Sequence, residues 1–276
     1  MSRLFKAYVL ENRPINKDHY LLTLHPLEKI IQPEPGNFFM MSVDSGLDPL
    51  LKRPFSIHRR LRSDFQILYR VVGRGTGLLS ERKPGDLLDV TGPLGNKFPA
   101  AGADNKMILI AGGLGMAPVF NLAEKFRKKK PLLFYGARNK EELLCIDELR
   151  SLGIEPVIST DDGSYGIKGN IIHAVKIFLS RRLSPLYERK AGVTRYRLYA
   201  CGPKPMLIAL SQLAATYGLK GYMALEQNMA CGLGTCLGCV ANTNKGYARV
   251  CKEGPVFKIE EIVWEKNFKT RNVGKV

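Results

Sequence analysis

Along the first hundred residues, apolar and polar positions alternate in short runs. KAYVLENR (6–13), YLLTLHPL (20–27), NFFMMSV (37–43), FSIHRRL (55–61) and FQILYRVVG (65–73) are rich in β-branched and aromatic residues. Turn signals separate them at Pro35-Gly36, Asp48-Pro49 and Pro84-Gly85-Asp86. Many short strands at this spacing predict a small antiparallel β-barrel.

From Asn105 the period changes. KMILIAGG (106–113) reads as a buried strand, and in APVFNLAEKF (117–126) Val119, Leu122, Ala123 and Phe126 share a helical face. Strand and helix then alternate through PLLFYGAR, EELLCIDELRSLG, IEPVIST, IIHAVKIFLS, RYRLYACG and KPMLIALSQLAATYG to a last strand, GYMALEQ (221–227). Asn139, with Glu142 three residues on, is placed to cap the second helix. Gly218 is placed to end the last one. Such alternation predicts a doubly wound parallel sheet, with the basic stretch 181–194 as a surface insertion.

From Asn228 the chain turns glycine- and cysteine-rich, then ends in strand-like VFKIEEIVW (256–264) and a basic tail. That piece is too small to build a core unaided. The expected division is therefore multi-domain β plus α/β: an antiparallel β-barrel over 1–102, a doubly wound α/β unit over 103–226, and a small C-terminal unit over 227–276.

Composition narrows the function classes. The 276 residues are 45% hydrophobic, enough for real cores, and carry a formal charge of +17. The basic residues are scattered and not interleaved with aromatics, so a nucleic-acid surface is not expected. The N-terminus enters strand-like alternation at once, and no apolar run approaches the roughly 18 residues of a membrane helix. A soluble, cytoplasmic protein is expected. Six cysteines, four of them clustered, then serve better as ligands than as disulfides.

Cys231, Cys236, Cys239 and Cys251 are spaced C-x4-C-x2-C-x11-C, and the first three match the plant-type spacing for a [2Fe–2S] cluster. Thiolate-held irons carry negative charge, which backbone N–H groups offset where side chains are absent. Gly232, Gly234 and Gly238 supply such access. A structural zinc site is the alternative, but zinc modules usually pair two short knuckles and only Cys236/Cys239 forms one.

Upstream, the KRPFSI stretch (52–57) places Arg53 and Ser56 on a strand, suited to a flavin's pyrophosphate and ring. In LYRVVGRGTG (68–77), Tyr69 is placed to edge the ring, and Gly75 and Thr76 to donate to phosphate. IAGGLGMAP (110–118) follows a strand and opens a helix, the position at which parallel sheets bind nucleotide phosphates. Gly112, Gly113 and Gly115 are its candidate dinucleotide contacts; the bland reading is a tight turn. In YACGPKPM (199–206), Cys201 is either a residue near the nicotinamide or a core cysteine. Cys145 reads as a structural cysteine in mid-helix, and the four histidines have no role. Arg138 pairs with a 2′-phosphate or is a solvated surface charge, the second being favoured.

The order R-P-F-S, G-T, G-P-L-G, G-G-x-G-x-A-P, C-G-P and C-x4-C-x2-C resembles the ferredoxin–NADP reductase superfamily. Within it, RPFSI, LYRVVGRGT, GARNKEEL, STDDGSYGIKG and MACGLGTCLGCV resemble the iron–sulfur electron-transfer subunits of type B dihydroorotate dehydrogenases. The resemblance implies FAD contacts for Arg53, Pro54, Phe55, Ser56, Leu68, Tyr69, Arg70, Gly75 and Thr76, and cluster ligation by Cys231, Cys236, Cys239 and Cys251. It also implies an FMN-containing catalytic partner, in a heterotetramer of two subunits of each kind, passing electrons from dihydroorotate through the cluster and FAD to NAD⁺. Gln227, Asn228 and the long 181–194 insertion depart from the family pattern. The rivals are an FAD/[2Fe–2S] subunit of a sulfide dehydrogenase or of a ferredoxin:NAD(P) oxidoreductase, a stand-alone reductase, and a zinc-stabilised nucleotide-binding scaffold. Cys231 favours the dihydroorotate reading over the first pair.

Overall fold

The computed structural model describes residues 3–44, 46, 48–102, 105–183 and 195–264. Seven antiparallel strands open the chain: β1 (Arg3–Pro14), β2 (His19–Pro26), β3 (Phe38–Met41), β4 (Arg53–Ser56), β5 (Arg59–Arg60), β6 (Phe65–Arg70) and β7 (Leu87–Leu94). They form one sheet in the order β4-β3-β7-β1-β2-β6-β5 around a core centred on Phe39 and Phe65, whose rings lie 4.4 Å apart. The expected barrel is an open, curled sheet, with β4 and β5 as its two edges. Only Ile57 and His58 separate those edge strands in sequence, so the sheet must curl until its ends approach. The glycine-rich stretch after β6 coils into a short helix, α1 (Arg74–Ser80), anchored by buried Leu79.

The second sheet is parallel through β8 (Asn105–Gly112), β9 (Leu132–Ala137), β10 (Val157–Thr160), β11 (Ile167–Lys168), β12 (Arg195–Cys201) and β13 (Lys220–Ala224), ordered β11-β10-β9-β8-β12-β13. Its central strands β8, β9, β12 and β13 are buried on both faces, as a sheet covered by helices requires. Met107, Leu109 and Ala111 of β8 point to the side of α2 (Met116–Lys125) and α3 (Ile146–Ser151). Ile108 and Ile110 point to the side of α4 (Ile171–Arg182) and α5 (Lys204–Thr216). Gly218, at φ 61°, follows α5 as anticipated. No described helix is long and apolar enough to cross a membrane.

Two elements differ from expectation. The helix anticipated over 141–153 is broken: Asn139 caps only a 3₁₀ turn at Lys140–Glu142, and Cys145 sits in the left-handed region at φ 61° before α3. It is not a mid-helix residue. Tyr135 accounts for the break, since its hydroxyl accepts the Leu144 N–H at 3.1 Å and faces the Glu142 carbonyl at 3.2 Å. The strand expected over 256–264 is shorter: β16 (Val256–Lys258) precedes a 3₁₀ turn and adds antiparallel to β13. Before it, β14 (Val240–Thr243) and β15 (Gly246–Arg249) make a separate hairpin. Asn96, just after β7, ties this C-terminal segment down. It donates to the carbonyls of Glu253 and Val256 at 2.9 and 2.8 Å and accepts the Val256 N–H at 2.9 Å.

The first sheet docks on α2 through Arg59, whose Nε donates to Glu124 at 2.8 Å, and through His58, whose ring lies 4.7 Å from that of Phe120. Most of the 181–194 insertion (184–194) and the basic tail (265–276) lie outside the described residues.

Candidate functional site

Three sites adjoin one another. The first is a crevice of about 550 Å³ between the curled sheet and the start of α2. Of the residues expected to contact a flavin, Pro54, Phe55, Ser56, Leu68, Tyr69, Arg70 and Thr76 line it. Arg53 and Gly75 are not in the lining but lie against each other, a Cβ on Gly75 falling 3.0 Å from Arg53 Nε. Tyr69 stacks on Tyr20 at 5.6 Å and donates to Asn12 Oδ1 at 3.1 Å, and burial pushes its phenol pKa up. The Thr76 hydroxyl accepts from Val72 and Gly73 N–H at 2.9 and 3.3 Å, so it shapes the turn into α1. Leu225 to Met229, between β13 and the cysteines, form the remaining wall.

A second crevice, of about 530 Å³, lies at the carboxyl ends of β8, β9 and β12, where the strand order reverses on either side of β8. Gly112, Gly113 and Gly115 all line it. Their lack of side chains is required: a Cβ on Gly115 would lie 2.2 Å from the Cys201 carbonyl oxygen, and one on Gly112 would lie 2.7 Å from Met206 Sδ. Tyr135 supports this turn, its hydroxyl 3.3 Å from the Gly113 carbonyl. Arg138 and Glu142 line the far wall.

Cys201 ends β12 but is not in the lining. It lies buried, and desolvation, aided by the charge of Glu226, holds its thiol well above the usual range. Cys145 is likewise buried, 3.8 Å from His58 Nε2, its thiol pushed up to about 12 by desolvation.

The two crevices share Arg70, Leu114 and Glu226. Glu226 was not anticipated from the sequence. It follows β13 at the carboxyl edge of the sheet, the one signal that could have marked it. Desolvation raises its carboxyl pKa although the residue keeps solvent access.

The third site is the cysteine loop. Its sulfurs are grouped two and two. Cys231 accepts from Leu233 and Cys236 N–H at 3.4 and 3.5 Å, and its sulfur is within reach of Cys236 Sγ. Cys239 accepts the Cys251 N–H at 3.4 Å, and those two sulfurs are in reach of each other. The Cys236, Leu233 and Thr235 N–H groups bring the Cys231 thiol down to about 6, whereas burial pushes Cys251 up to about 12. Among the described residues, no group of three or more His, Cys, Asp or Glu side chains converges at single-metal spacing. Four cysteines in two pairs, with backbone N–H groups on Cys231 and Cys239, would fit the four-cysteine donor set of a dinuclear iron–sulfur centre.

Gly232 and Gly234 turn this loop at φ 69° and 86°. A Cβ on Gly232 would lie 2.4 Å from Met40 Cγ, so the loop backbone presses on β3. The Cys239/Cys251 pair is buried, Cys231 is half-buried and Cys236 is exposed.

Residues 226–263 match the family model described as the iron–sulfur cluster binding domain of dihydroorotate dehydrogenase B, and residues 109–212 match the oxidoreductase NAD-binding domain. The electron transfer subunit of dihydroorotate dehydrogenase B (NAD(+)) from Geobacillus sp. (strain WCH70) is 39% identical over 274 residues, covering 95% of this chain and 100% of that one. The corresponding subunit from Desulforamulus reducens is 35% identical over 273 residues, covering 96% and 100%.

Among solved structures, an NADH-dependent reduced ferredoxin-NADP oxidoreductase superposes with a TM-score of 0.77 at 24% identity, covering 94% of this chain and 90% of that one. The ferredoxin reductase of carbazole 1,9a-dioxygenase does so at 0.66 and 23%, covering 79% and 67%. These two share the fold. From the curated relatives and the three adjoining sites, the chain belongs to the family of electron-transfer subunits of dihydroorotate dehydrogenase B.

Proposed function

We propose that this chain carries electrons from a dihydroorotate-oxidising partner to NAD⁺, with FAD in the 550 Å³ crevice, the dinucleotide in the 530 Å³ crevice and a [2Fe–2S] cluster on the four cysteines. The partner is an FMN-containing catalytic subunit, in a heterotetramer with two copies of each chain. The observation that carries this reading is continuity: the crevices share Arg70, Leu114 and Glu226, and the segment from Leu225 to Met229 runs directly into Cys231.

When bound, FAD supplies the exchange between two-electron transfer to a nicotinamide and one-electron transfer to an iron–sulfur cluster. The protein's part is placement. Pro54, Phe55, Leu68 and Tyr69 give the flavin crevice an apolar and aromatic wall. Gly112, Gly113 and Gly115 let the dinucleotide's phosphates approach the backbone at the start of α2. Glu226 stands where a nicotinamide and an isoalloxazine would meet. Cys201 acts from beneath Gly115 by packing, not by contact.

Cys231, Cys236, Cys239 and Cys251 hold the cluster, whose exposed side is flanked by Leu233, Leu237 and Tyr247, 49%, 62% and 79% exposed. That apolar rim suits a partner subunit.

The test is anaerobic purification with iron, sulfide and flavin assays, then NADH addition. About two irons and one FAD per chain, with flavin absorbance bleached by NADH, support the reading. A colourless, zinc-containing protein that takes up neither flavin nor iron overturns it.

A further inference from the structure

We propose that Glu142 makes the dinucleotide crevice select a coenzyme with a free ribose 2′-hydroxyl, by engaging the two guanidiniums that would otherwise hold a 2′-phosphate. This rests on reading that crevice as a nicotinamide dinucleotide site. In such folds the adenosine ribose reaches the end of the second strand, about 20 residues beyond the glycine turn, where an arginine accommodates the 2′-phosphate. Arg138 occupies that position, directly after β9. An arginine fork there is suited to phosphate.

Its fork is already filled. Arg138 Nε donates to Glu142 Oε2 at 3.0 Å and its Nη2 pairs with Oε1. Arg70 Nη2 approaches the same Oε1 at 3.5 Å and Asp18 Oδ2 at 3.5 Å. Glu142 is held for this: its own N–H is capped by Asn139 at 3.1 Å, and its carbonyl faces the Tyr135 hydroxyl. Its side chain is only 17% exposed against 61% for Arg138, so the carboxylate is the fixed member of the pair. Asp161 lines the same wall.

Arg70 and Arg138 thus face the carboxylates of Glu142, Asp161 and Asp18, leaving no surplus positive charge for a group carrying about −1.5 to −2. Arg138 also holds the Glu142 carboxyl below the usual range, so the clamp is charged at neutral pH. Free of Glu142, the two arginines would face a 2′-phosphate directly.

The experiment is isothermal titration of the full-length protein with 2′,5′-ADP and with 5′-AMP, which differ only in the 2′-phosphate. Wild type is compared with Glu142→Gln, Glu142→Ala and Glu142→Gln/Arg138→Ala; the ratio of NADPH- to NADH-driven flavin reduction is a second readout. Releasing the clamp is expected to shift the affinity ratio toward 2′,5′-ADP by about ten-fold or more, and removing Arg138 as well is expected to cancel most of the shift. A ratio within about two-fold of wild type in both Glu142 variants, or a gain that survives loss of Arg138, overturns the clamp. If wild type binds 5′-AMP and the ratio stays still, only the clamp fails. If wild type binds neither probe and NADH leaves its flavin oxidised, the dinucleotide reading fails and the clamp with it.

Discussion

The dinucleotide crevice and the cysteine loop both depend on glycine, for opposite reasons. In the crevice, glycine makes room for neighbours already in place: the Cys201 carbonyl presses where a Gly115 Cβ would be, and the buried faces of β8, β12 and α2 hold both. In the loop, Gly232 and Gly234 take φ 69° and 86° so that the chain can wrap N–H groups around sulfur. From Leu225 to Cys239 no helix or strand supplies regular hydrogen bonding. The first site is a product of its fold. The second has little regular structure of its own to hold it, as is common in small metal modules.

The largest effect should come from breaking that second arrangement. Cys251→Ala removes one of the buried sulfur pair. It should abolish nearly all bound iron and raise amide exchange across 228–252, while β8 and β12 keep their protection. Iron assay and hydrogen exchange by mass spectrometry read both. Loop protection unchanged after the iron is lost would mean that packing on Met40 and Asn96 suffices, and the comparison would fail.

The crevice should respond in the opposite way, through stability without any ligand. Gly115→Ala drives a methyl group into backbone on β12 that cannot turn aside, at a cost of about 3 kcal/mol. Gly77→Ala, in α1, meets nothing within 4 Å and should stay within about 1 kcal/mol of wild type, on the favourable side. Urea unfolding of the two variants measures the gap; equal effects would mean that the turn relaxes.

The same contrast decides what could be read from the chain. The change of period at Asn105 was legible because β8 feeds both helical layers and is apolar and buried from Met107 to Gly112. The grouping of the cysteines was legible because their spacing is local in sequence, and the structure sets Cys231 beside Cys236 and Cys239 beside Cys251. The open curl of the first sheet was not, since closure depends on how the edge strands β4 and β5 meet. The break at Cys145 was hidden for a like reason: EELLCIDEL is a good helical pattern, and Tyr135, on β9, overrides it. Of the two readings open for Cys201, the structure takes the core one. Period-two alternation sends it into the core under α2, while Gly202 reaches the crevice. Asn96 acts through distant partners and had no pattern to betray it, and Glu226 had only its place after β13 at the carboxyl edge of the sheet.

His58 had been given no role, and it sharpens the comparison at the seam between the flavin sheet and α2. Its ring is 4% exposed, packed on Phe120, with Cys145 Sγ at 3.8 Å and Arg59 beside it. Burial lowers its pKa to about 4, so it is neutral in the folded protein. Unfolded, a histidine takes up a proton near pH 6.5. Between those two values the unfolded chain binds more protons, so stability is lost as pH falls from about 6.5 toward 4, by about 2 kcal/mol at pH 5. His58→Leu should remove that increment. Urea unfolding at pH 7 and pH 5 is the check: wild type should lose about 2 kcal/mol more than the variant over this interval. Equal losses would show that His58 can reach water without undoing the seam, and that the flavin sheet is held to α2 by Arg59 and Glu124 instead.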